Sequence, residues 1–301
     1  MHRSGFVNII GRPNAGKSTL MNALVGERMS IITAKPQTTR HRIIGILSGD
    51  DFQIVFSDTP GIISDPRYRM QEMMNKAVRT TFDDADLMIY LIDPNEQYTA
   101  DEQLVQQLRH LNDEIPVFLV INKIDTVDAA RVKKLEQQFS KWLLLDQVHT
   151  ISALKGDGVE GLAAAIQEKL PEGPPYYPKD QLTDRPERFF VTEIIREQIL
   201  EQYHQEIPYS VEVEIESYKE GDTTKSGDPL VRISAIIFVS RKTQKPIIIG
   251  KGGSSIKKLG TAARERIEAF IQSKVYLELH VKIRDGWRDN EQQLKRFGYD
   301  R

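Results

Sequence analysis

Gly11-Arg12-Pro13-Asn14-Ala15-Gly16-Lys17-Ser18 follows the short apolar run Phe6–Ile10 and opens the helical pattern Gly16–Leu24. Two glycines separated by four residues, then lysine and serine, placed between a strand and a helix, read as a phosphate-binding loop. The glycines let the backbone curl until successive N–H groups face phosphate oxygens, and the helix N-terminus adds the positive end of its dipole. Lys17 is expected to neutralise the β- and γ-phosphates, and the Ser18 hydroxyl to ligate Mg²⁺, with Thr19 next along the helix.

Such a loop belongs to an open α/β sheet, and the surrounding sequence agrees. Apolar runs at Phe52–Phe56, Leu87–Ile92 and Val117–Ile121 alternate with helical patterns at Glu102–Leu111, Ala129–Leu143 and Glu160–Leu170. The alternation predicts an α/β fold, a doubly wound and mostly parallel sheet with helices on both faces. In these sheets ligands bind beyond the C-terminal ends of the strands, and the remaining motifs fall there.

Asp58-Thr59-Pro60-Gly61 follows the run Phe52–Phe56. Its acid is expected to hold Mg²⁺, and the N–H of Gly61 to meet the γ-phosphate. Asn122-Lys123-Ile124-Asp125 closes Val117–Ile121. The Asp125 carboxylate would accept from the N1–H and N2–H₂ edge of guanine, which adenine does not offer, and this argues against an ATP-dependent enzyme. Asn122 would brace the loops and Lys123 would lie against the base. Ser152-Ala153-Leu154, after an apparent strand at His149–Ile151, would supply a backbone N–H to the guanine O6.

Between the first two motifs the polar segment Gln37-Thr38-Thr39-Arg40 reads as a mobile switch that contacts Mg²⁺ and the γ-phosphate. Thr39 is the expected ligand and Thr38 the alternative. Lys17, Asn14, Thr39 and Gly61 are the residues expected at the reacting phosphate. Ile62 stands where many such enzymes place the glutamine that orients the attacking water. Slow intrinsic hydrolysis follows, dependent on a partner or a monovalent cation, and Asn14 is a candidate potassium ligand beside the phosphates.

With 301 residues there is room for two cores, and 40% hydrophobic with 28% charged residues describes a soluble globular chain. No apolar run approaches a membrane span, and Met1-His2-Arg3-Ser4-Gly5 holds no apolar stretch of signal-peptide length, so a cytoplasmic protein is expected. The absence of cysteine excludes disulfides and thiolate zinc sites. Pro171-Glu172-Gly173-Pro174-Pro175 cannot continue a helix and marks a linker over 171–186, dividing 1–170 from 187–301.

The net charge of −2 conceals an asymmetry beyond that linker. Residues 187–240 hold 5 basic against 11 acidic side chains, a balance of −6, whereas 241–301 hold 15 against 7, a balance of +8. Asp184, Pro186 and Glu187 signal a helix start, and Tyr209, Val211, Val213 and Ile215 alternate with polar residues as a one-sided strand. A second strand is read near Leu230–Ser240 and a third at Leu277–Ile283, with a helical stripe through Ile256, Leu259, Ala263, Ile267 and Phe270 between them. The order helix, strand, strand, helix, helix, strand is that of a smaller α+β domain, the type II KH arrangement. Gly250-Lys251-Gly252-Gly253 supplies the Gly-x-x-Gly turn with which such a module lets a single-stranded nucleic-acid backbone approach. Ile248, Ile249, Ile256, Lys257 and Lys258 flank it as candidate RNA contacts. Trp287 and Phe297 are assigned to packing rather than to base stacking.

Taken end to end, the chain resembles the Era family of bacterial GTPases. The nucleotide motifs carry the resemblance, together with the switch Gln37-Thr38-Thr39-Arg40-His41-Arg42, Ile62, the stretch Thr183-Asp184-Arg185-Pro186-Glu187-Arg188-Phe189, the turn Gly250–Gly253 and Gly286-Trp287. The resemblance implies hydrolysis of GTP to GDP and phosphate. It also implies recognition of single-stranded sequence near the 3′ end of small-subunit (16S) ribosomal RNA, and a task in assembly of the 30S subunit. A monomer that binds no DNA is expected, with peripheral association at the inner face of the cell membrane implied by the family alone. The rival reading is a GTP-dependent regulatory switch whose basic C-terminal domain binds a protein or the membrane surface.

Overall fold

Along the run Leu87–Ile92 every residue is apolar and buried, which a strand covered on both faces requires. Met88, Tyr90 and Ile92 join one core cluster while Leu87, Ile89 and Leu91 join another, so the alternation of the strand feeds the two faces of one sheet. The computed structural model describes residues 2–33, 35, 37–63, 65–82, 84–111 and 115–299.

In chain order the first half comprises β1 (Arg3–Ile10), α1 (Lys17–Val25), β2 (Ile43–Ser48), β3 (Phe52–Asp58), α2 (Arg69–Thr80), β4 (Leu87–Ile92), α3 (Gln103–Leu111), β5 (Val117–Ile121), α4 (Ala129–Phe139), β6 (Gln147–Thr150) and α5 (Val159–Lys169). The sheet order is β2-β3-β1-β4-β5-β6, parallel throughout except for β2, which pairs antiparallel with β3. α1 and α5 cover one face, and α2, α3 and α4 the other. The mostly parallel, doubly wound sheet read from the sequence is the one observed.

β2 and α2 were not read from the sequence. β2 lies at an edge, and its Gly45 breaks the β-branched run because α1 approaches there; an added Cβ would meet Val25 Cγ2 at 2.8 Å. α2 is rich in polar residues and buries Met70, Gln71, Met74 and Val78, a stripe that becomes meaningful only once both its neighbours are known.

The second half holds α6 (Glu187–Gln202), β7 (Val211–Thr223), β8 (Pro229–Val239), α7 (Gln244–Ile249), α8 (Ser254–Ile271), β9 (Lys274–Ile283) and α9 (Glu291–Arg296). β7 and β8 are antiparallel, and β8 and β9 parallel. α6, α7 and α8 pack on one face of this sheet through Val191, Ile195, Ile199, Ile248, Leu259, Ala263 and Ile267. Element for element this is the order expected of a KH domain. The helix start differs in detail: α6 is preceded by Pro186 with no side-chain cap, and Asp184 plays no capping part. Among the described residues no helix is long and apolar enough to cross a membrane.

Between α5 and α6 the chain is strapped along the first sheet. Gln53 uses its side chain on both partners, accepting from the N–H groups of Tyr176 and Tyr177 and donating to the Tyr177 carbonyl, while the Ile46 N–H donates to the Leu182 carbonyl. At Ile46 the strap thus satisfies a backbone group on the outer edge of β2. The halves also share a small core of Met70 and Met74 from α2 with Trp287, Leu294 and Tyr299, in which Trp287 is fully buried.

Candidate nucleotide and RNA sites

A cleft of about 680 Å³ opens at the C-terminal ends of β1, β3, β5 and β6, a size suited to a nucleotide. Asn14, Gly16, Lys17, Ser18, Thr19, Thr39, Thr59, Gly61, Ile62, Asn122, Lys123, Asp125, Ser152 and Leu154 all line it. Most of the residues expected from sequence are therefore gathered in one place. Gly11, Ala15, Asp58, Pro60 and Ala153 stand behind the lining.

α1 begins at Lys17 without a side-chain cap, so the backbone N–H groups of its first turn remain available to an anion. Gly16 has φ 102, and a Cβ there would come within 2.3 Å of Asn122 Nδ2. Glycine is thus required both by its dihedral and by the passage of the Asn122 side chain. Asn122 is 2% exposed; its amide donates to the Ala15 carbonyl at 2.9 Å, and its Oδ1 accepts from the Ala153 N–H at 2.9 Å. One side chain ties the phosphate loop to the loop after β6, which is the bracing expected of it.

Lys17 Nζ donates to the carbonyls of Gly11 and Arg12, both at 3.1 Å. Burial lowers its pKa, and the charge of Asp58 opposes that shift. The Arg12 side chain turns away from the site. It pairs with Glu102 at 2.7 Å and lies over the Tyr98 ring, a structural use.

Three hard oxygens converge where Mg²⁺ would sit. Ser18 Oγ donates to Asp58 Oδ2 at 2.7 Å, Thr39 Oγ1 lies 3.0 Å from Ser18 Oγ, and Thr39 Oγ1 donates to Asp58 Oδ2 at 3.3 Å. Asp58 is fully buried, its Oδ1 has no hydrogen-bond partner, and burial raises its pKa against the pull of Lys17. A buried carboxylate with an orphaned oxygen beside two hydroxyls fits a divalent cation that also keeps waters and phosphate oxygens. Among the described residues no group of three or more His, Cys, Asp or Glu is placed to hold a metal ion. Thr38 is occupied elsewhere: its Oγ1 bonds Thr33 at 2.7 Å and the Lys35 carbonyl at 2.6 Å. Of the two threonines weighed from sequence, Thr39 faces the site.

Asp125 is exposed at the rim, and hydrogen bonding from Ser152, with Lys155 nearby at 3.5 Å, holds its pKa below the usual carboxylate range. It is therefore ionised at neutral pH, ready to accept from a guanine edge. Lys123 has φ 54, and its Nζ donates to the Asn14 carbonyl at 2.7 Å and to Asp93 Oδ2 at 2.7 Å. Asp93 was missed by sequence reading. Burial would raise its carboxyl, yet bonds from Lys123 and Asn95 bring it below its ordinary value. The available signal was its position, an acid one residue past an apolar parallel strand. Ile62 packs against the apolar cluster of β4, α3 and α4, consistent with its having no polar role toward water.

In the second domain α7 ends at Gly250, a tight turn follows over Lys251–Gly253, and α8 begins at Ser254. Gly252 has φ 58 and nothing within 4 Å of an added Cβ, so this backbone faces open space. Lys251, Lys257 and Lys258 are exposed around it, while Ile249 and Ile256 are half-buried. Ile248 requires a correction. It is 0% exposed within the core, and the exposed apolar side chain beside the turn is Ile247, at 53%. Three isoleucines in succession hide their phase, and only the helix packing reveals which one points outward. Trp287 and Phe297 are packing residues as expected, with the Trp287 Nε1 donating to the Ser210 carbonyl at 3.3 Å.

Comparison with known proteins agrees with both halves. The family described as 50S ribosome-binding GTPase matches residues 6–123, and the KH domain family matches residues 206–288. GTPase Era of Clostridium botulinum is 43% identical over 300 residues, covering 99% of each chain. The chloroplastic GTPase ERA1 of Zea mays is 46% identical over 299 residues, 99% of this chain and 71% of that one. A solved variant of Aquifex aeolicus Era bound to GDP and AlF4⁻ superposes with TM-score 0.89 at 36% identity, covering 99% of both chains. So does Era in complex with MgGDPNP and nucleotides 1506–1542 of 16S ribosomal RNA, at 35% identity.

Proposed function

The chain belongs to the Era family of GTPases, and from that premise we propose that it binds the 3′ region of 16S ribosomal RNA through its KH domain and acts in assembly of the 30S subunit. Guanine-nucleotide binding with Mg²⁺ and hydrolysis of GTP are the family's chemistry. The observation that carries the RNA assignment is the exposed turn Lys251–Gly253, its lysines beside it, on a chain similar over its length to a protein solved with that RNA. The large subunit named in the family description attaches to a match over residues 6–123, outside the domain that carries this turn.

The division of work among residues is proposed as follows. The N–H groups from Asn14 to Ser18 cradle the phosphates, and Lys17 neutralises their charge. Mg²⁺ held by Ser18, Thr39 and Asp58 would add positive charge at the β- and γ-phosphates. Gly61 meets the γ-phosphate, Asp125 reads guanine, and Asn122 keeps both loops in register. With the apolar Ile62 at that position, half-buried at the edge of the cleft, no side chain there orients the attacking water. Hydrolysis is then slow until RNA, the subunit or a potassium ion at Asn14 assists. The proposed boundaries are 1–170 for the GTP-binding domain, 171–186 for the linker and 187–301 for the KH domain with its helical extension. A cytoplasmic monomer with peripheral membrane association, indifferent to DNA, completes the proposal.

The test is a GTPase assay on the full chain with and without a single-stranded RNA of the 16S 3′ end, in potassium and in sodium. RNA binding in the GTP state and faster turnover with RNA in potassium are expected. Equal turnover in the two salts removes the potassium role. No RNA binding, with binding to anionic vesicles or to a protein instead, replaces the RNA assignment by the regulatory-switch reading.

A further inference from the structure

The residues on either side of Thr39 are held by the KH domain. On one side the Thr38 carbonyl accepts from Arg196 Nη2 on α6, an arginine itself bridged to Glu193. On the other the Arg40 side chain runs into the start of β7, where its guanidinium donates to the carbonyls of Pro208 at 2.9 Å and Val211 at 2.7 Å and to Glu212 at 3.3 Å. The Arg40 side chain is 0% exposed. Glu212 in turn accepts from the Tyr299 hydroxyl at 2.7 Å. Between these two anchors the Thr39 hydroxyl faces Ser18 and Asp58.

A buried guanidinium cannot drift. Leaving its carbonyls and carboxylate would strand a charge away from water, so the contact is either made or replaced wholesale by solvent. A residue held in this two-state manner on a neighbouring domain transmits its position to the residue beside it in sequence.

We propose that Arg40 is a positioning residue for the nucleotide site: anchored by Glu212 on β7, it holds Thr39 at the Mg²⁺ position. Glu212, which touches no part of the nucleotide cleft, thereby sets how strongly the chain prefers GTP to GDP. Thr39 matters to the triphosphate state because the switch closes on Mg²⁺ and the γ-phosphate, and GDP has no γ-phosphate to close upon. The inference rests on the reading of Thr39 as a Mg²⁺ ligand.

The experiment uses the full chain with Arg40→Gln, Arg40→Lys, Glu212→Gln and Thr39→Ala, and Arg28→Gln as control. Affinities for GDPNP and GDP are measured across a Mg²⁺ series, beside thermal stability. Arg40→Gln and Glu212→Gln should lose about tenfold in GDPNP affinity and need more Mg²⁺, with GDP affinity changed less than about twofold. Arg40→Lys, which keeps the charge but not the planar fork, should fall between. Arg28→Gln removes an ion pair to Glu197 between the same two domains but away from Thr39, and should leave the GDPNP-to-GDP ratio as it was. The proposal is overturned if that ratio stays at the wild-type value in Arg40→Gln and Glu212→Gln, or if Arg28→Gln shifts it equally. Should Thr39→Ala keep full GDPNP affinity, the ligand reading fails and takes this inference with it. Where Thr39→Ala weakens GDPNP and the Arg40 and Glu212 variants do not, the ligand reading stands and only the role of Arg40 is lost.

Discussion

Single side chains at the cleft carry separable properties. Asp125 is the residue proposed to read the base, whereas the tie between the phosphate loop and the loop after β6 is made by Asn122 with both ends of its amide. Asp125→Asn exchanges an acceptor for a partial donor. The preference for GTP over ATP should fall by about two orders of magnitude, measured as the ratio of the two dissociation constants, while the melting temperature stays near wild type. His41 offers a pH probe. Its ring is buried between Phe189 and Tyr299, and burial lowers its pKa from the usual 6.5, with Glu193 and Glu212 pulling upward and Arg196 and Arg185 pushing down. The folded chain then binds fewer protons at this residue than the unfolded chain. Its contribution to stability is complete above the unfolded pKa and is lost as pH falls below about 6.5. His41→Phe should flatten the loss of stability between about pH 7 and 5.5, as read from denaturant midpoints. An unchanged slope would assign the acid sensitivity to other groups.

Elements rather than residues make the two sites. α1 aims its uncapped N-terminus into the cleft, and α7, the turn and α8 present Gly252 on open ground. Gly252→Asp adds a negative charge and a Cβ at φ 58 exactly where a polyanion backbone would approach, so RNA binding should be lost with nucleotide affinity unchanged. Filter binding to the RNA and fluorescence titration with GDP check the two halves. α2 is held from outside its own domain, since Met70 and Met74 pack on Trp287. Trp287→Ala would open a cavity there and should cost about 3–5 kcal/mol in urea unfolding, unless the halves melt separately. In that event the transition belonging to the KH half should move most.

At the level of the whole molecule, the two domains meet through packing that neither shows alone. Arg40, Arg196 and Glu193 form a buried charged layer between them, bordered by Tyr299 and His41. Buried ion pairs of this kind add little net stability but penalise intermediate arrangements, which favours discrete docked and undocked states. Local motifs made much of this protein legible beforehand. The phosphate loop, Asn122 to Asp125 and Ser152 to Leu154 were readable because each is a short run at a strand end. In such a run neighbours in sequence are neighbours in space. The alternating runs likewise revealed the doubly wound sheet, and the alternation and helical stripe of the second half gave the order of the KH elements around the Gly-x-x-Gly turn. Ile247 and Ile248 could not be told apart, since a helix of six residues gives too little period to fix a face.

Chemistry and topology, then, were written in the sequence: a guanine-reading phosphate-loop domain joined to an RNA-binding one. Only the tertiary structure decided that Asp93 orients Lys123, that Thr39 rather than Thr38 faces Asp58, and that Arg40 is buried in the other domain. The partners of Arg40 lie at Pro208, Val211 and Glu212, far along the chain. A charged residue in a polar segment looks like a solvated one until folding brings its carbonyls and its carboxylate to it. Burial and pairing are properties of the packed molecule, and no local pattern encodes them.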